Sequence, residues 1–152
     1  MLNPDFRDML SALSDEGVEF LLVGAYAMAV YGYPRATGDM DIWIRRSDAN
    51  AERVWRALKR FKAPMRQLAV DDLKTPDVVF QVGVAPCRID ILTAIDGVEF
   101  EDAWPRRKEV EIEGQRFGVI GRDDLVLNKS ACGRPKDQAD AAWLQSDPSS
   151  SL

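Results

Sequence analysis

The sequence contains no histidine, only two cysteines, and no apolar run of the ~18 residues that a membrane span needs. The absence of histidine excludes Ser-His-Asp and Cys-His hydrolases and zinc sites built on imidazole. Catalysis must then come from carboxylates, lysine, arginine, backbone amides or a metal ion. Ligation by oxygen alone favours hard ions such as Mg²⁺ or Mn²⁺.

The two cysteines, Cys87 and Cys132, show no pattern that suggests a disulfide. The N-terminal residues lack the basic and apolar stretches of a secretory signal, so we expect reduced, partly buried thiols in a cytoplasmic protein. A length of 152 residues with 46% hydrophobic residues predicts one domain over residues 1–145. Residues 146–152 are polar and are expected to form a disordered tail.

The formal net charge of −5 argues against bulk binding of DNA or other nucleic acid. A group of basic residues leaves two interpretations open, a local basic patch or ordinary solvated faces. Its members are Arg45, Arg46, Arg106, Arg107 and Lys108.

Hydrophobic periodicity and turn residues predict helices near 4–16, 25–31, 48–62, 123–131 and 136–144. They predict strands near 19–23, 39–44, 78–82 and 87–92, and a hairpin formed by 110–112 and 117–120. Short helical turns are expected near 69–73 and 100–107. This order predicts an α/β (α+β) domain, a small mixed sheet flanked by helices, with further helices at the C-terminus.

Two aspartates, Asp39 and Asp41, lie within the otherwise apolar strand pattern of 39–44. Side chains two residues apart on a strand point to the same face, roughly 6–7 Å from each other. Unpaired carboxylates in that arrangement repel each other and resist burial. A cation is therefore expected between them, and a pair of divalent metal ions is the simplest candidate.

Asp90 is a third carboxylate in an apolar strand pattern, and it converges on the first two if its strand lies beside theirs. Alternatively, it pairs with Arg88. Gly24-Ala25 lies between a predicted strand and a predicted helix, where backbone N–H groups favour phosphate. A tight strand-to-helix turn without a ligand is the other interpretation. A phosphate site facing a metal site is what phosphoryl transfer requires.

These motifs resemble the nucleotidyltransferase superfamily related to DNA polymerase beta, which carries a Gly-Gly or Gly-Ser helix start, an Asp-x-Asp strand and a later Asp. The segment 32–41, Gly-Tyr-Pro-Arg-Ala-Thr-Gly-Asp-Met-Asp, is similar to that of small prokaryotic members of the antitoxin and abortive-infection type. So are Asn128-Lys129 and the segment 133–140, Gly-Arg-Pro-Lys-Asp-Gln-Ala-Asp. Ala25 departs from the pattern, because many members have Gly or Ser there.

The resemblance implies a nucleotidyltransferase fold and a two-metal mechanism. Asp39, Asp41 and Asp90 would be catalytic residues that bind Mg²⁺ or Mn²⁺, and an NTP would be the substrate. Gly24, Ala25, Arg35, Thr37 and Lys129 would bind the nucleotide or its phosphates. For Arg35 the alternative is a surface ion pair, and for Lys129 it is an exposed lysine on a helix.

The expected reaction transfers a nucleoside monophosphate to a hydroxyl of a protein, an RNA or a small molecule. A partner toxin protein or tRNA is among the acceptors that the resemblance implies. Two other functions stay open: a catalytically weak or silent nucleotide-binding antitoxin or regulatory module, and a metal-stabilised structural domain without nucleotide.

Overall fold

A computed structural model describes residues 2–33, 38–84 and 87–146. The helices are α1 (Pro4–Asp15), α2 (Gly24–Val30), α3 (Asp48–Phe61), α4 (Phe100–Ala103), α5 (Arg122–Cys132) and α6 (Pro135–Ser146). The strands are β1 (Phe20–Val23), β2 (Met40–Ile44), β3 (Val79–Val82), β4 (Ile89–Leu92), β5 (Lys108–Ile112) and β6 (Gln115–Val119). Short 3₁₀ segments cover Val70–Lys74 and Trp104–Arg106. The predicted α/β class is confirmed.

The strands form one mixed sheet in the order β3-β4-β2-β1-β6-β5. Strand β2 pairs in parallel with β4 and antiparallel with β1, and β1 pairs in parallel with β6. Strands β3 and β5 extend the sheet antiparallel at its two edges. The central strands β1, β2 and β4 are almost continuously apolar, as expected for strands covered on both faces.

Local sequence signals account for several helix ends. Asn3 caps α1, because its side-chain oxygen accepts a 2.7 Å hydrogen bond from the N–H of Asp5. Ser47 caps α3 in the same way, accepting a 3.1 Å bond from the N–H of Asn50. The helix predicted near 123–131 is α5, which begins at Arg122 with Gly121 as its N-cap residue. A Cβ at Gly121 would lie 2.7 Å from the carbonyl oxygen of Arg106, so close backbone packing sets this helix start.

The core lies on both sides of the central strands. Leu21, Ile42 and Ile91 are fully buried, and each such side chain contributes about 1.5–3 kcal/mol of hydrophobic stabilisation. On the face that also carries Asp41, Trp43 packs edge-on against Phe100 with ring centroids 5.0 Å apart. This apolar contact supports the strand that holds the candidate site.

The basic group of the sequence does not form a free cationic patch, because three of its five members are in ion pairs with acidic residues. These pairs are Arg45 with Glu19 and Glu101, Arg106 with Asp124, and Arg107 with Glu109. Among the described ranges, no helix combines the length and apolar character needed to cross a bilayer.

Both cysteines are free thiols, as predicted. Cys132 is partly buried, but Cys87 is exposed, which corrects the expectation for that residue. Cys87 lies in the connection between the edge strand β3 and β4, outside the apolar part of the sheet.

Candidate active site

The sheet brings the three predicted carboxylates to one place. Asp41 of β2 lies directly opposite Asp90 of β4 in the parallel register, and such partners project from the same face. Asp39 immediately precedes β2, and its Oδ2 lies 3.3 Å from the guanidinium of Arg88, which also contacts Asp90. The convergence expected from the sequence is therefore confirmed, and it follows from the pairing of β2 with β4.

Arg88 links two of these carboxylates. Its Nε and Nη2 donate to the two oxygens of Asp90 at 2.8 and 3.2 Å. The same Nη2 lies 3.3 Å from Oδ2 of Asp39, and the backbone N–H of Arg88 donates to Oδ1 of Asp39 at 3.1 Å. The pairing of Asp90 with Arg88 and the convergence of the carboxylates, which the sequence left as alternatives, occur together. The hydrogen bonds to Asp90 and the negative charge of Asp90 raise the pKa of the Arg88 guanidinium above its usual value.

Asp41 differs from its two neighbours because no hydrogen bond or ion pair reaches it from the residues the structure describes. Burial, followed by the charges of Asp90 and Asp39, raises the pKa of Asp41 from 3.8 to about 6. Arg88 and Lys129 offset part of this effect through their positive charges. A half-buried carboxylate without a cationic partner is a candidate ligand for a metal ion.

Gly24 explains how the chain packs so tightly against Asp41. Val23, the last residue of β1, pairs with Asp41, and Gly24 follows it at the beginning of α2. A Cβ at Gly24 would lie 2.3 Å from Oδ2 of Asp41, and its φ of +67° is one that side-chain-bearing residues rarely adopt. Both features require glycine at this position.

A cavity of about 530 Å³ opens beside the carboxylates. Gly24 and Ala25 line it together with Asp39, Asp41, Arg88 and Asp90 on the sheet side. Helices α5 and α6 and the turn between them supply the facing wall, which includes Asn128, Lys129, Cys132, Arg134, Lys136 and Asp137. Its volume falls within the range of roughly 300–1,000 Å³ that is usual for small-molecule sites.

Lys129 lies on this facing wall and is buried, with 8% of its surface exposed, so the alternative of an exposed helix lysine is wrong. Its Nζ lies 3.0 Å from Asp140 and 3.5 Å from Asp137, both buried residues of α6. Packing of α6 against α5 holds the lysine in this position. Two carboxylates thus fix a positive charge at the edge of the cavity.

Arg134 pairs with Asp137 at 2.7 Å. Burial by itself would raise the pKa of Asp137, but Arg134 and Lys129 together bring that pKa below 3.8. Asp137 therefore remains ionised and holds both cations. The sequence shows Asp137 and Asp140 three residues apart on a predicted helix, and therefore on one face of it. Their contact with Lys129 could not be predicted, because it depends on the packing of α6 against α5.

Arg35 and Thr37, predicted to contact the nucleotide, lie outside the described residues. Gly24, Ala25 and Lys129, the other predicted nucleotide-binding residues, all line the cavity together with the carboxylates.

The carboxylate oxygens of Asp39, Asp41 and Asp90 are the type of ligand that a hard divalent ion prefers, and they lie on one face of the sheet. Within the described ranges, however, no three acidic or cysteine side chains are arranged as a ready metal site. The guanidinium of Arg88 contacts oxygens of both Asp39 and Asp90. The space beside Asp41 is kept free of side-chain carbon by Gly24.

A family profile described as nucleotidyl transferase of unknown function (DUF2204) matches residues 3–145. The chain belongs to this family. Among solved structures, the chain is similar to a "putative nucleotidyltransferase" from Thermotoga maritima, with a TM-score of 0.64 and 16% identity over 97% of each chain. At that identity, the likeness establishes the fold. No curated protein sequence matches the chain.

The predicted nucleotidyltransferase family and fold are thereby confirmed. The match covers both the strands that carry Asp41 and Asp90 and the helices α5 and α6 that form the facing wall of the cavity. The relation to the DNA polymerase beta superfamily and the antitoxin or abortive-infection subtype, which the sequence motifs suggested, stay predictions.

Proposed function

We propose that the chain transfers a nucleoside monophosphate from an NTP to a hydroxyl group, releasing pyrophosphate. The observation that carries this proposal is the convergence of Asp39, Asp41 and Asp90 at one cavity that also contains the buried Lys129. A purely structural domain gains no stability from three neighbouring carboxylates, one of which has a pKa of about 6.

In this proposal Asp39, Asp41 and Asp90 hold two Mg²⁺ or Mn²⁺ ions. Such ions stabilise the entering and leaving oxygens of an in-line displacement when they are bound. Asp41 is suited to bind a cation because it lies opposite Asp90, two residues after Asp39, and has no hydrogen-bond or ion-pair partner among the described residues. Asp90 would bind one of these ions and so favour loss of the proton from the attacking hydroxyl.

Lys129 is proposed to neutralise the triphosphate. Its side chain is already oriented and desolvated by Asp137 and Asp140, so little conformational entropy is lost when an anion binds. Gly24 and Ala25 bring main chain to the cavity wall without a bulky side chain, which permits close approach of a phosphate.

The acceptor is proposed to bind outside this cavity, since the cavity has the volume of a small-molecule site. A hydroxyl of a protein, an RNA or a small molecule meets the chemical requirement. A partner toxin protein or tRNA, in a toxin–antitoxin role, is the form of acceptor that the sequence motifs favour.

The direct test is incubation of the purified protein with α-labelled NTPs, Mg²⁺ and a cell lysate, followed by separation of labelled protein and RNA. We expect label on one macromolecular class, and no label with Asp41→Asn. Asp124→Asn is the matched control, because this buried aspartate pairs with Arg106 away from the cavity. Transfer that persists in Asp41→Asn contradicts the proposal. Nucleotide binding without any transfer favours the silent binding module instead.

The role of Lys129 is tested by Lys129→Gln. We expect KM for the NTP to rise at least about tenfold, because a charge-assisted contact to phosphate is lost. Lys136→Gln is the control, since this exposed lysine lines the same cavity but forms no ion pair with a carboxylate among the described residues. Thermal unfolding of both variants checks the fold. An unchanged KM in a folded Lys129→Gln protein contradicts the assignment.

A further inference from the structure

Arg88 occupies the oxygens that a divalent ion would need. Both oxygens of Asp90 accept hydrogen bonds from its guanidinium. Oδ2 of Asp39 lies 3.3 Å from Nη2, and Oδ1 of Asp39 accepts the backbone N–H of Arg88. Asp41 is the one carboxylate of the three that Arg88 leaves without a hydrogen bond.

We infer that Arg88 is a built-in competitor for the cation site, which binds Asp39 and Asp90 when no divalent ion is present and must withdraw when one binds. This inference rests on the proposed function for the identity of the site. It adds a property that the function does not require, namely that the metal affinity of the protein is held down by one of its own side chains.

Charge and geometry both support competition. A guanidinium and a divalent cation that share the same carboxylates repel each other at a separation where the effective dielectric constant is well below that of water. Two N–H groups of one guanidinium can also bind both oxygens of a carboxylate at once, which leaves neither oxygen free to bind a metal ion directly.

The ligands are held in place without the Arg88 side chain. Asp90 is positioned by its register opposite Asp41 in the sheet. Asp39 is held through Oδ1 by the backbone N–H of Arg88, a contact that any residue at this position except proline can make. Removal of the guanidinium therefore frees the oxygens while the carboxylates stay close together.

Arg88 also has room to withdraw. Its side chain is 31% exposed and lines the cavity rather than the apolar core. A buried arginine would have to break apolar packing to leave, whereas this side chain needs only to rotate towards the open cavity.

The test is titration of the metal-free protein with Mn²⁺ alone, with free Mn²⁺ measured by electron spin resonance. We expect Arg88→Gln to lower Kd for Mn²⁺ at least about tenfold relative to the wild type. Arg88→Lys keeps the charge but cannot bind both oxygens of a carboxylate as a guanidinium does, so its Kd for Mn²⁺ is expected to lie between those of the wild type and Arg88→Gln. Arg106→Gln removes a similarly bidentate arginine from Asp124 outside the cavity, and its Kd should match the wild type within about twofold.

An unchanged or higher Kd in Arg88→Gln overturns the inference, because it identifies Arg88 as a support of the site rather than a competitor. Absence of Mn²⁺ binding in all of these proteins overturns the metal site and the inference together. Tighter Mn²⁺ binding by Arg88→Gln, together with no nucleotidyl transfer by the wild type, supports the inference but contradicts the proposed function. If Arg88→Gln fails to fold, Arg88→Lys decides the question by the same comparison.

Discussion

Replacement of Asp41 by asparagine should make the metal-free protein more stable while it abolishes nucleotidyl transfer. Burial and the charges of Asp90 and Asp39 raise the pKa of Asp41 from 3.8 to about 6. The folded state therefore binds this proton more tightly than the unfolded state does. The stability that the proton contributes is complete below about pH 4 and is lost as the pH rises through about 6.

The expected magnitude follows from the difference between the two pKa values. Each unit is worth about 1.4 kcal/mol, so ionised Asp41 costs the folded protein about 2–3 kcal/mol near neutral pH. Asparagine carries no charge at any pH and removes this cost. The free energy of unfolding of Asp41→Asn should exceed that of the wild type by about 2–3 kcal/mol at about pH 7.5, and the difference should approach zero near pH 4.

Urea unfolding in the presence of a chelator measures both values, and a rise in Tm of roughly 5–10 °C at neutral pH is the thermal equivalent. Asp124→Asn is the control of identical chemistry. Asp124 accepts two hydrogen bonds from Arg106 at 2.8 and 3.1 Å, so its replacement should destabilise the protein by about 1–3 kcal/mol. Equal or lower stability of Asp41→Asn at neutral pH would refute the reasoning that nearby cations only partly compensate the charge of Asp41.

Two further predictions concern the cavity. Gly24→Ala should destabilise the protein by about 1–3 kcal/mol more than Gly17→Ala and should abolish transfer. Both glycines have φ near +70°, but only at Gly24 would the new Cβ clash, at 2.3 Å from Oδ2 of Asp41. Equal effects of the two substitutions in urea unfolding would contradict this prediction. Bound NTP with Mn²⁺ should slow alkylation of Cys132, which lines the cavity, and leave the exposed Cys87 unaffected. Equal alkylation of both thiols with and without ligand, measured by mass spectrometry, would show that the nucleotide binds elsewhere.

The carboxylate site was largely predictable from the sequence because short-range rules determine most of it. Two aspartates two residues apart on a strand must share a face, and the apolar pattern around Asp90 identified a second buried strand. Only the adjacency of β2 and β4 was needed to bring all three together, and the family resemblance implied it.

The other wall of the cavity was much less predictable. Lys129 could be read as an exposed helix residue because its sequence surroundings contain no sign of burial. Its partners Asp137 and Asp140 belong to α6, and they reach the lysine only through the packing of α6 against α5. The ion pair between Arg88 and Asp39 likewise joins the residues that immediately precede two different strands, so no local pattern reveals it. Long-range ion pairs of this kind depend on the tertiary arrangement.

The central claim is that Asp39, Asp41 and Asp90 together form a divalent cation site for nucleotide chemistry. Anomalous diffraction from crystals grown with Mn²⁺ and a non-hydrolysable NTP analogue tests it most directly. The account predicts a manganese peak in contact with oxygens of Asp41 and at least one of the other two carboxylates, with the guanidinium of Arg88 moved away from them. A peak elsewhere on the protein, or bound nucleotide with Arg88 still joined to Asp39 and Asp90, would contradict the account.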